Sequence, residues 1–146
     1  MAQAQATAQL DQTDTGHRMQ ISFSSGEAYE VAVRGHRLLV DQPVDAGGQD
    51  RAATPTELFV ASLATCVAFY AGRFLTRHGY NRDGLAVTAD FTMGSDRPAR
   101  VSNIRLSVHV PADLPEARRP ALAAVVTHCT VHNSMTIPPD VTIDLT

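Results

Sequence analysis

The chain has 146 residues, a formal charge of −3, 44% hydrophobic residues and 18% charged residues. This apolar share is typical of one folded domain and exceeds that of disordered chains. All 12 basic residues are Arg, and the absence of Lys excludes Schiff-base enzymes and the lysine of phosphate-binding P-loops. A sequence pI near 6.0 argues against a nucleic-acid partner, since nucleic-acid binders usually carry a basic excess.

The first 16 residues lack the basic start and the apolar run of a signal peptide. No stretch of the chain reaches the roughly 18 consecutive apolar residues of a membrane span, so no membrane partner is predicted. We expect a flexible tail over 1–16 and a single domain over 17–146. Two cysteines without an export signal favour a reducing compartment, and the predicted location is the cytoplasm.

Alternating apolar and polar residues predict a three-stranded meander at the start of the domain. The apolar positions begin at Met19, Tyr29 and Leu38, and Ser, Gly and Arg residues form the turns between them. Residues 41–53 contain Pro43 and a pair of glycines, and they predict an irregular loop.

One long helix is predicted after this loop. Thr54 can cap it, Pro55 fits its first position, Glu57 completes a capping box, and Gly79 ends it. Its apolar residues are Leu58, Phe59, Val60, Leu63, Cys66, Val67, Phe69, Tyr70, Phe74 and Leu75. These positions surround the helix, and a helix that is apolar on all sides is buried on all sides. We therefore expect a second subunit to cover part of it.

The remaining chain predicts two strands, over 85–91 and 104–110, and a second helix over 114–128. This helix begins at Asp113 and is interrupted or restarted at Pro120. A last strand is predicted over 141–145. The order βββ-α-ββ-α-β indicates an α+β fold and lacks the regular βαβ units of a Rossmann fold.

The two cysteines are the candidates for chemistry. Cys66 in the middle of the long helix is either a small buried apolar residue or a reactive thiol. Cys129 lies at the end of the second helix, and the two could form a dithiol pair that opens and closes a disulfide. A thiolate of such a pair attacks a peroxide, becomes a sulfenic acid and is captured by the second thiol. The apolar neighbours of Cys66 favour organic hydroperoxides over hydrogen peroxide.

A metal site is the rival interpretation of the second cysteine. His128, Cys129 and His132 carry zinc-binding groups, and Cys66 could add a further ligand. Their spacing matches no standard zinc signature. We therefore predict neither a metal nor a cofactor.

Two motifs resemble the OsmC/Ohr superfamily from about Gly35 to the C-terminus. The first comprises Gly35-His36, Asp41-Gln42-Pro43, Gly47-Gly48, Thr54-Pro55-Thr56-Glu57-Leu58-Phe59 and Cys66; the second is Cys129-Thr130-Val131-His132-Asn133. The resemblance implies an OsmC-like α+β fold with two central helices packed between sheets in an intertwined homodimer. It also implies that Cys66 is the peroxidatic cysteine and Cys129 the resolving cysteine, reset by an external dithiol.

Three departures from the family pattern bear on the site. Thr56 replaces the family glutamate, and Glu57 follows one place later, so Glu57 is either a catalytic residue or a capping-box residue. Thr130 replaces the proline that typically follows the second cysteine. The family's activating arginine lies in the first hairpin, where this chain has Arg18 and Arg34. Further candidate cations are Arg37, Arg51 and Arg73.

The leading prediction is thus a cytoplasmic, homodimeric thiol peroxidase that reduces small apolar hydroperoxides in oxidative-stress defence. The alternative is a small-molecule binding protein on the same fold, with an apolar pocket at the dimer interface and no peroxidase activity. Activation of the Cys66 thiol distinguishes the two. A structural dimer with a static disulfide is the third interpretation, which the reducing compartment disfavours.

Overall fold

The computed structural model describes residues 17–111 and 113–146, so the tail predicted over 1–16 lies outside the described residues. The chain separates into two compact units, with the boundary between Thr54 and Pro55. The expectation of a single domain over 17–146 stays a prediction.

The first unit contains an antiparallel three-stranded sheet in the order β1-β2-β3. Its strands are β1 (Gln20–Ser25), β2 (Ala28–Val33) and β3 (His36–Val40). This arrangement confirms the predicted meander.

The meander has one apolar face. Ile21 pairs with Val31, and Val31 pairs with Leu38, so these side chains lie on the same side of the sheet. Phe23 and Tyr29 extend this face and form an edge-to-face ring pair with centroids 5.9 Å apart. The face is largely open in the single chain, since Ile21 is 59% exposed and Phe23 is 66% exposed.

A buried carboxylate organises the loop that follows β3. The carboxylate of Asp41 accepts the backbone N–H groups of Gln42 at 2.8 Å, Arg51 at 3.1 Å and Gln49 at 3.3 Å. These bonds favour the charged form, and the Arg51 N–H has the largest effect in lowering the pKa of Asp41. Apart from a 3-10 turn at Val44–Ala46 the loop is irregular, as predicted.

The glycine pair in this loop has a steric role. A Cβ on Gly48 would lie 1.9 Å from the carbonyl oxygen of Gln42, much closer than real Cβ contacts allow. Gly47 adopts φ +90°, a left-handed conformation that favours glycine. The backbone of the loop therefore folds tightly onto itself at a point where no side chain fits.

The second unit begins with α1 (Pro55–Arg77), which starts at the predicted proline. The helix ends in a Schellman motif: the N–H of Tyr80 donates to the carbonyl of Leu75 at 2.9 Å, and that of Gly79 donates to Thr76 at 3.2 Å. Gly79 has φ +77°, which a side chain would disfavour. The predicted end of the helix is confirmed.

An antiparallel hairpin packs against α1. It consists of β4 (Ala86–Met93) and β5 (Val101–His109). Along β5 the residues Ile104, Leu106 and Val108 are half-buried, and the residues between them are exposed. The same alternation of apolar and polar residues predicted the strands. It places the apolar side chains on the face of the hairpin that packs against α1.

The predicted second helix is shorter than expected. A 3-10 turn at Glu116–Arg118 precedes α2 (Arg119–Val126), and Pro120 lies in the first turn of α2. A proline is tolerated there because the first N–H groups of a helix have no partner within it. The expectation of one continuous helix over 114–128 was therefore wrong at its start. The helix begins beside Pro120, as the alternative of a restart at this proline predicted. A third helix, α3 (Thr130–Thr136), was not predicted.

Helices α1 and α2 enclose the main core of the second unit. Leu75 is completely buried and Phe74 is 5% exposed, and both belong to the same cluster as Leu114 and Leu122. This core fixes the C-terminal half of α1 against α2.

The predicted last strand is wrong, because the segment over 141–145 forms neither helix nor strand. Its apolar residues are open to solvent, with Ile143 83% exposed and Leu145 98% exposed. A strand requires a neighbouring backbone for its hydrogen bonds, and no described strand of this chain pairs with the segment.

Within the described ranges, α1 is the one helix whose length and composition would allow it to cross a membrane. Core helices of soluble proteins share this length and composition, and 39% of the most apolar stretch of α1 is buried.

Candidate active site

Cys66 lies in the middle of α1, on the side of the helix that faces the hairpin and α3. Leu63 and Val67, its neighbours on this side, are buried. Cys66 itself is half-buried and packs against a cluster formed by Leu63, Val67 and Cys129. The thiol is therefore in apolar surroundings yet retains access from outside.

Cys129 is completely buried at the junction between α2 and α3. It is the N-cap of α3, and its Sγ accepts the backbone N–H of His132 at 3.3 Å. The Nδ1 of His132 donates to the carbonyl oxygen of Thr127 at 2.8 Å. These two bonds tie the turn that holds Cys129 to the helices before and after it.

The structure brings the two cysteines together, and both are free thiols. Burial raises the pKa of the Cys129 thiol, because a thiolate is poorly solvated there. The His132 N–H opposes this rise, and the adjacent Cys66 side chain adds to it. Cys129 is accordingly protonated at neutral pH.

Apolar side chains from five elements surround the cysteine pair. They are Tyr70 from α1, Val87 from β4, Ile104, Leu106 and Val108 from β5, Val126 from α2, and Val131 and Met135 from α3. Such surroundings disfavour charged groups. The chemistry available is thiol chemistry in an apolar environment.

Glu57 lies in the first turn of α1 and is exposed. The helix is continuous from Pro55 to Arg77, and Glu57 precedes Cys66 by nine residues. At about 100° per residue the two side chains point to opposite sides of the helix, about 13 Å apart along its axis. The helix therefore does not bring Glu57 to the sulfur of Cys66, and its catalytic role stays a prediction.

The candidate arginines occupy different places. Arg37 pairs with Glu30 on the meander, and Arg51 donates to the hydroxyl of Ser25 at 2.9 Å. In the second unit, the guanidinium of Arg73 lies over the ring of Phe69, 5.6 Å from its centroid.

The metal interpretation finds no ligand set in the described parts of the chain. Among residues 17–111 and 113–146, no group of three or more His, Cys, Asp or Glu side chains could hold a metal ion. The His132 ring is bonded through Nδ1 to the backbone of the α2–α3 junction.

One feature of the site was not anticipated from the sequence, namely the short helix α3. It supplies the His132 N–H that contacts Cys129, and it contributes Val131 and Met135 to the apolar wall. The spacing of four between these two apolar residues is the helical signal that could have revealed it.

Comparison with known proteins bears on the family and the fold. The family model described as OsmC-like protein matches residues 47–144. A proposed osmotic stress induced and detoxification response protein from Psychrobacter arcticus has a TM-score of 0.75 and 21% identity, over 84% of this chain and 90% of that chain. No curated protein matches this sequence.

Two further solved structures share the fold. One is the organic hydroperoxide resistance protein OsmC from Legionella pneumophila, with a TM-score of 0.62 and 18% identity over 82% of this chain and 89% of that chain. The other is the organic hydroperoxide resistance protein OhrB of Bacillus subtilis, with a TM-score of 0.57 and 14% identity over 81% and 90% of the respective chains. These similarities confirm the predicted OsmC-like α+β fold.

Proposed function

Since the chain belongs to the OsmC-like family, we propose that it is a cysteine-based peroxidase that reduces organic hydroperoxides in oxidative-stress defence. The observation that carries the proposal is the pair of free thiols in one apolar cluster, one half-buried and the other fully buried. The names of the Legionella and Bacillus proteins of similar fold, both organic hydroperoxide resistance proteins, agree with it.

The two thiols take different parts because they differ in exposure. Cys66, the more accessible, attacks the terminal oxygen of the hydroperoxide; the S–O bond forms while the O–O bond breaks. The organic group leaves as an alkoxide and takes up a proton to become the alcohol. Cys66 is thereby oxidised by two electrons to a sulfenic acid.

Cys129 resolves this intermediate. Its sulfur attacks the sulfur of the Cys66 sulfenic acid, the S–S bond forms, and the hydroxyl group leaves with the Cys129 proton as water. An external dithiol then reduces the disulfide by thiol–disulfide exchange, so the cycle needs no bound cofactor. A dithiol reductant of this kind is typical of the cytoplasm, the location we propose.

The apolar walls around the thiols favour organic hydroperoxides. Tyr70, Val131 and Met135 offer carbon surface that a hydrocarbon group can bury. Hydrogen peroxide has no such group and loses hydration on entering the cluster. We therefore expect a faster reaction with a peroxide such as cumene hydroperoxide.

A thiol count tests the proposal. Reduced protein receives a near-stoichiometric pulse of cumene hydroperoxide or of hydrogen peroxide, and free thiols are titrated over time. We expect both thiols to disappear into an intrachain disulfide, faster with the organic peroxide. Cys66→Ser should abolish the reaction, whereas Cys129→Ser should stop it at a sulfenic acid that dimedone traps.

If both thiols persist for minutes, the peroxidase is refuted. The alternative, a binding protein of the same fold, would then be the better interpretation.

We also propose that the protein is an intertwined homodimer with the two α1 helices at its centre. The single chain leaves large apolar side chains open, among them Phe23 on the meander, Phe69 on α1 at 52% exposure, and Leu145 near the C-terminus. Large exposed apolar side chains of this kind mark interaction surfaces when they cluster. A second copy that covers it supplies the burial that α1 requires.

Sedimentation tests the homodimer. We expect twice the mass of the 15.7 kDa chain, and dissociation in Phe23→Asp, which places a charge on the apolar face of the meander. Ser22→Asp is the matched control, because Ser22 lies on the opposite face of the same strand. A wild-type protein that sediments as a monomer at micromolar concentration contradicts the proposal.

A further inference from the structure

A cavity lies between the C-terminal half of α1 and α2. Its volume is about 280 Å³, enough for a small organic molecule. Its lining residues are Tyr70, Arg73, Phe74, Arg77 and His78 from α1 and the turn after it, and Ala121 and Val125 from α2. We call it the α1–α2 groove.

The lining of the groove has an aromatic side. The His78 ring lies against the Phe74 ring, with centroids 4.2 Å apart and planes tilted by 33°. The Nδ1 of His78 donates to the carbonyl of Phe74 at 2.8 Å, which fixes the imidazole in this position. Together with Val125, these rings form a surface suited to a flat apolar group.

The groove also carries two guanidinium groups. Arg73 and Arg77 are one helical turn apart on α1, and neither forms an ion pair with an acidic residue in the described parts of the chain. The helices that border the groove offer little negative charge: the acidic residue of α1 is Glu57 in its first turn, and α2 has none. An anion that enters the groove therefore meets two cations and no competing carboxylate from either helix.

From this combination we infer that the α1–α2 groove binds a small aromatic monocarboxylate. The carboxylate pairs with the guanidinium groups of Arg73 and Arg77, and the ring lies on the aromatic and apolar lining. A metal cation is excluded by the charge of the groove. Inorganic phosphate would leave the apolar lining unused, and a neutral aromatic compound would leave the guanidinium groups unused.

The groove is separate from the thiol chemistry, with one shared wall. Tyr70 lines the groove and also packs against the cluster that contains Cys66 and Cys129. Arg73 follows Cys66 by seven residues on α1, which separates their backbone positions by about 10 Å along the helix axis. Binding in the groove therefore does not depend on the peroxidase proposal.

Calorimetric titration with 1-naphthoate tests this inference on the purified, reduced protein. We expect binding that weakens as ionic strength rises, and binding at least about tenfold weaker for 1-naphthamide, which has the same ring without the charge. Arg73→Gln and Arg77→Gln should each weaken naphthoate binding about tenfold. Arg105→Gln is the matched control; this exposed residue of β5 does not line the groove, and the variant should bind like the wild type.

A second pair of variants tests the location. Ala121→Trp should fill the groove and abolish binding, whereas Ala123→Trp, at an exposed position of α2 outside the groove, should leave it unchanged. Equal affinity for naphthoate and naphthamide, unchanged binding in both arginine variants, or no binding at millimolar naphthoate would overturn the inference. The thiol count after a peroxide pulse should be the same in Ala121→Trp and wild type, so the two proposals fail independently.

Discussion

Oxidation of Cys66 and Cys129 to a disulfide is expected to raise the stability of the chain strongly. The bond would close a loop of roughly 60 residues, and closing a loop of that length lowers the entropy of the unfolded chain by about 14 cal/mol/K. This corresponds to about 4 kcal/mol at 25 °C. For a chain of 146 residues the expected rise in Tm is on the order of 10 °C.

The folded state should offer little resistance to this bond. Cys66 already packs against the cluster that contains Cys129, so closure requires side-chain rotation more than backbone movement. The principal loss is the hydrogen bond from the His132 N–H to Sγ of Cys129, since a disulfide sulfur is a weaker acceptor. Most of the entropic gain should therefore appear as stability.

Thermal unfolding followed by circular dichroism measures the effect. Protein kept in a dithiol reductant is compared with protein oxidised by diamide, at the same concentration, and Cys66→Ser and Cys129→Ser should show no difference between the two conditions. If the oxidised wild type lost both thiols to an intrachain bond and its Tm stayed constant or fell, the folded structure would have to distort to accept the bond. That result would refute the reasoning.

Three further substitutions probe the fold around the sites. Leu75→Ala, at a completely buried position, should lower the free energy of unfolding by about 3–5 kcal/mol, as measured by urea titration. Thr65→Ala, at an exposed position of the same helix, is the control, and equal effects of the two substitutions would contradict the described core. The lowered pKa of Asp41 means that its carboxylate stabilises the fold above the usual value of 3.8 and that this contribution is lost as the pH falls further. Asp41→Asn should therefore flatten the acid limb of the stability profile below about pH 5, and an unchanged limb would show that the loop does not depend on this charge. Gly48→Ala should lower the Tm markedly because its Cβ would lie 1.9 Å from the carbonyl oxygen of Gln42. Gln49→Ala at the next position should leave the Tm nearly unchanged, and similar Tm values for the two variants would show that the loop backbone shifts easily to accept a side chain.

Much of the local structure followed from residue patterns. The meander, the hairpin and both ends of α1 were predicted because each has a local physical cause. Alternation produces two-sided strands, and Gly79 supplies the positive φ at which α1 stops. The two cysteines were recognised as a candidate pair from their chemistry and from their resemblance to a family.

The wrong or missing predictions concern segments whose secondary structure depends on long-range contacts. The segment over 141–145 alternates like a strand, yet a strand forms only beside another backbone, and no strand in the described part of the chain lies beside it. Helix α3 is seven residues long, too short to be stable by propensity alone, and it forms because Val131 and Met135 pack onto the cysteine cluster. The hydrogen bonds that the Asp41 carboxylate accepts within its loop likewise depend on backbone groups up to ten residues away.

The sequence by itself determined which residue types are available, the period of each element, and the points where the chain turns, because these depend on side chains and their near neighbours. Only the tertiary structure decided that Cys129 is fully buried beside a more accessible Cys66, and that two arginines line a groove with an aromatic side. Burial and proximity arise when distant segments pack together, and they set the solvation on which thiol and guanidinium chemistry depend.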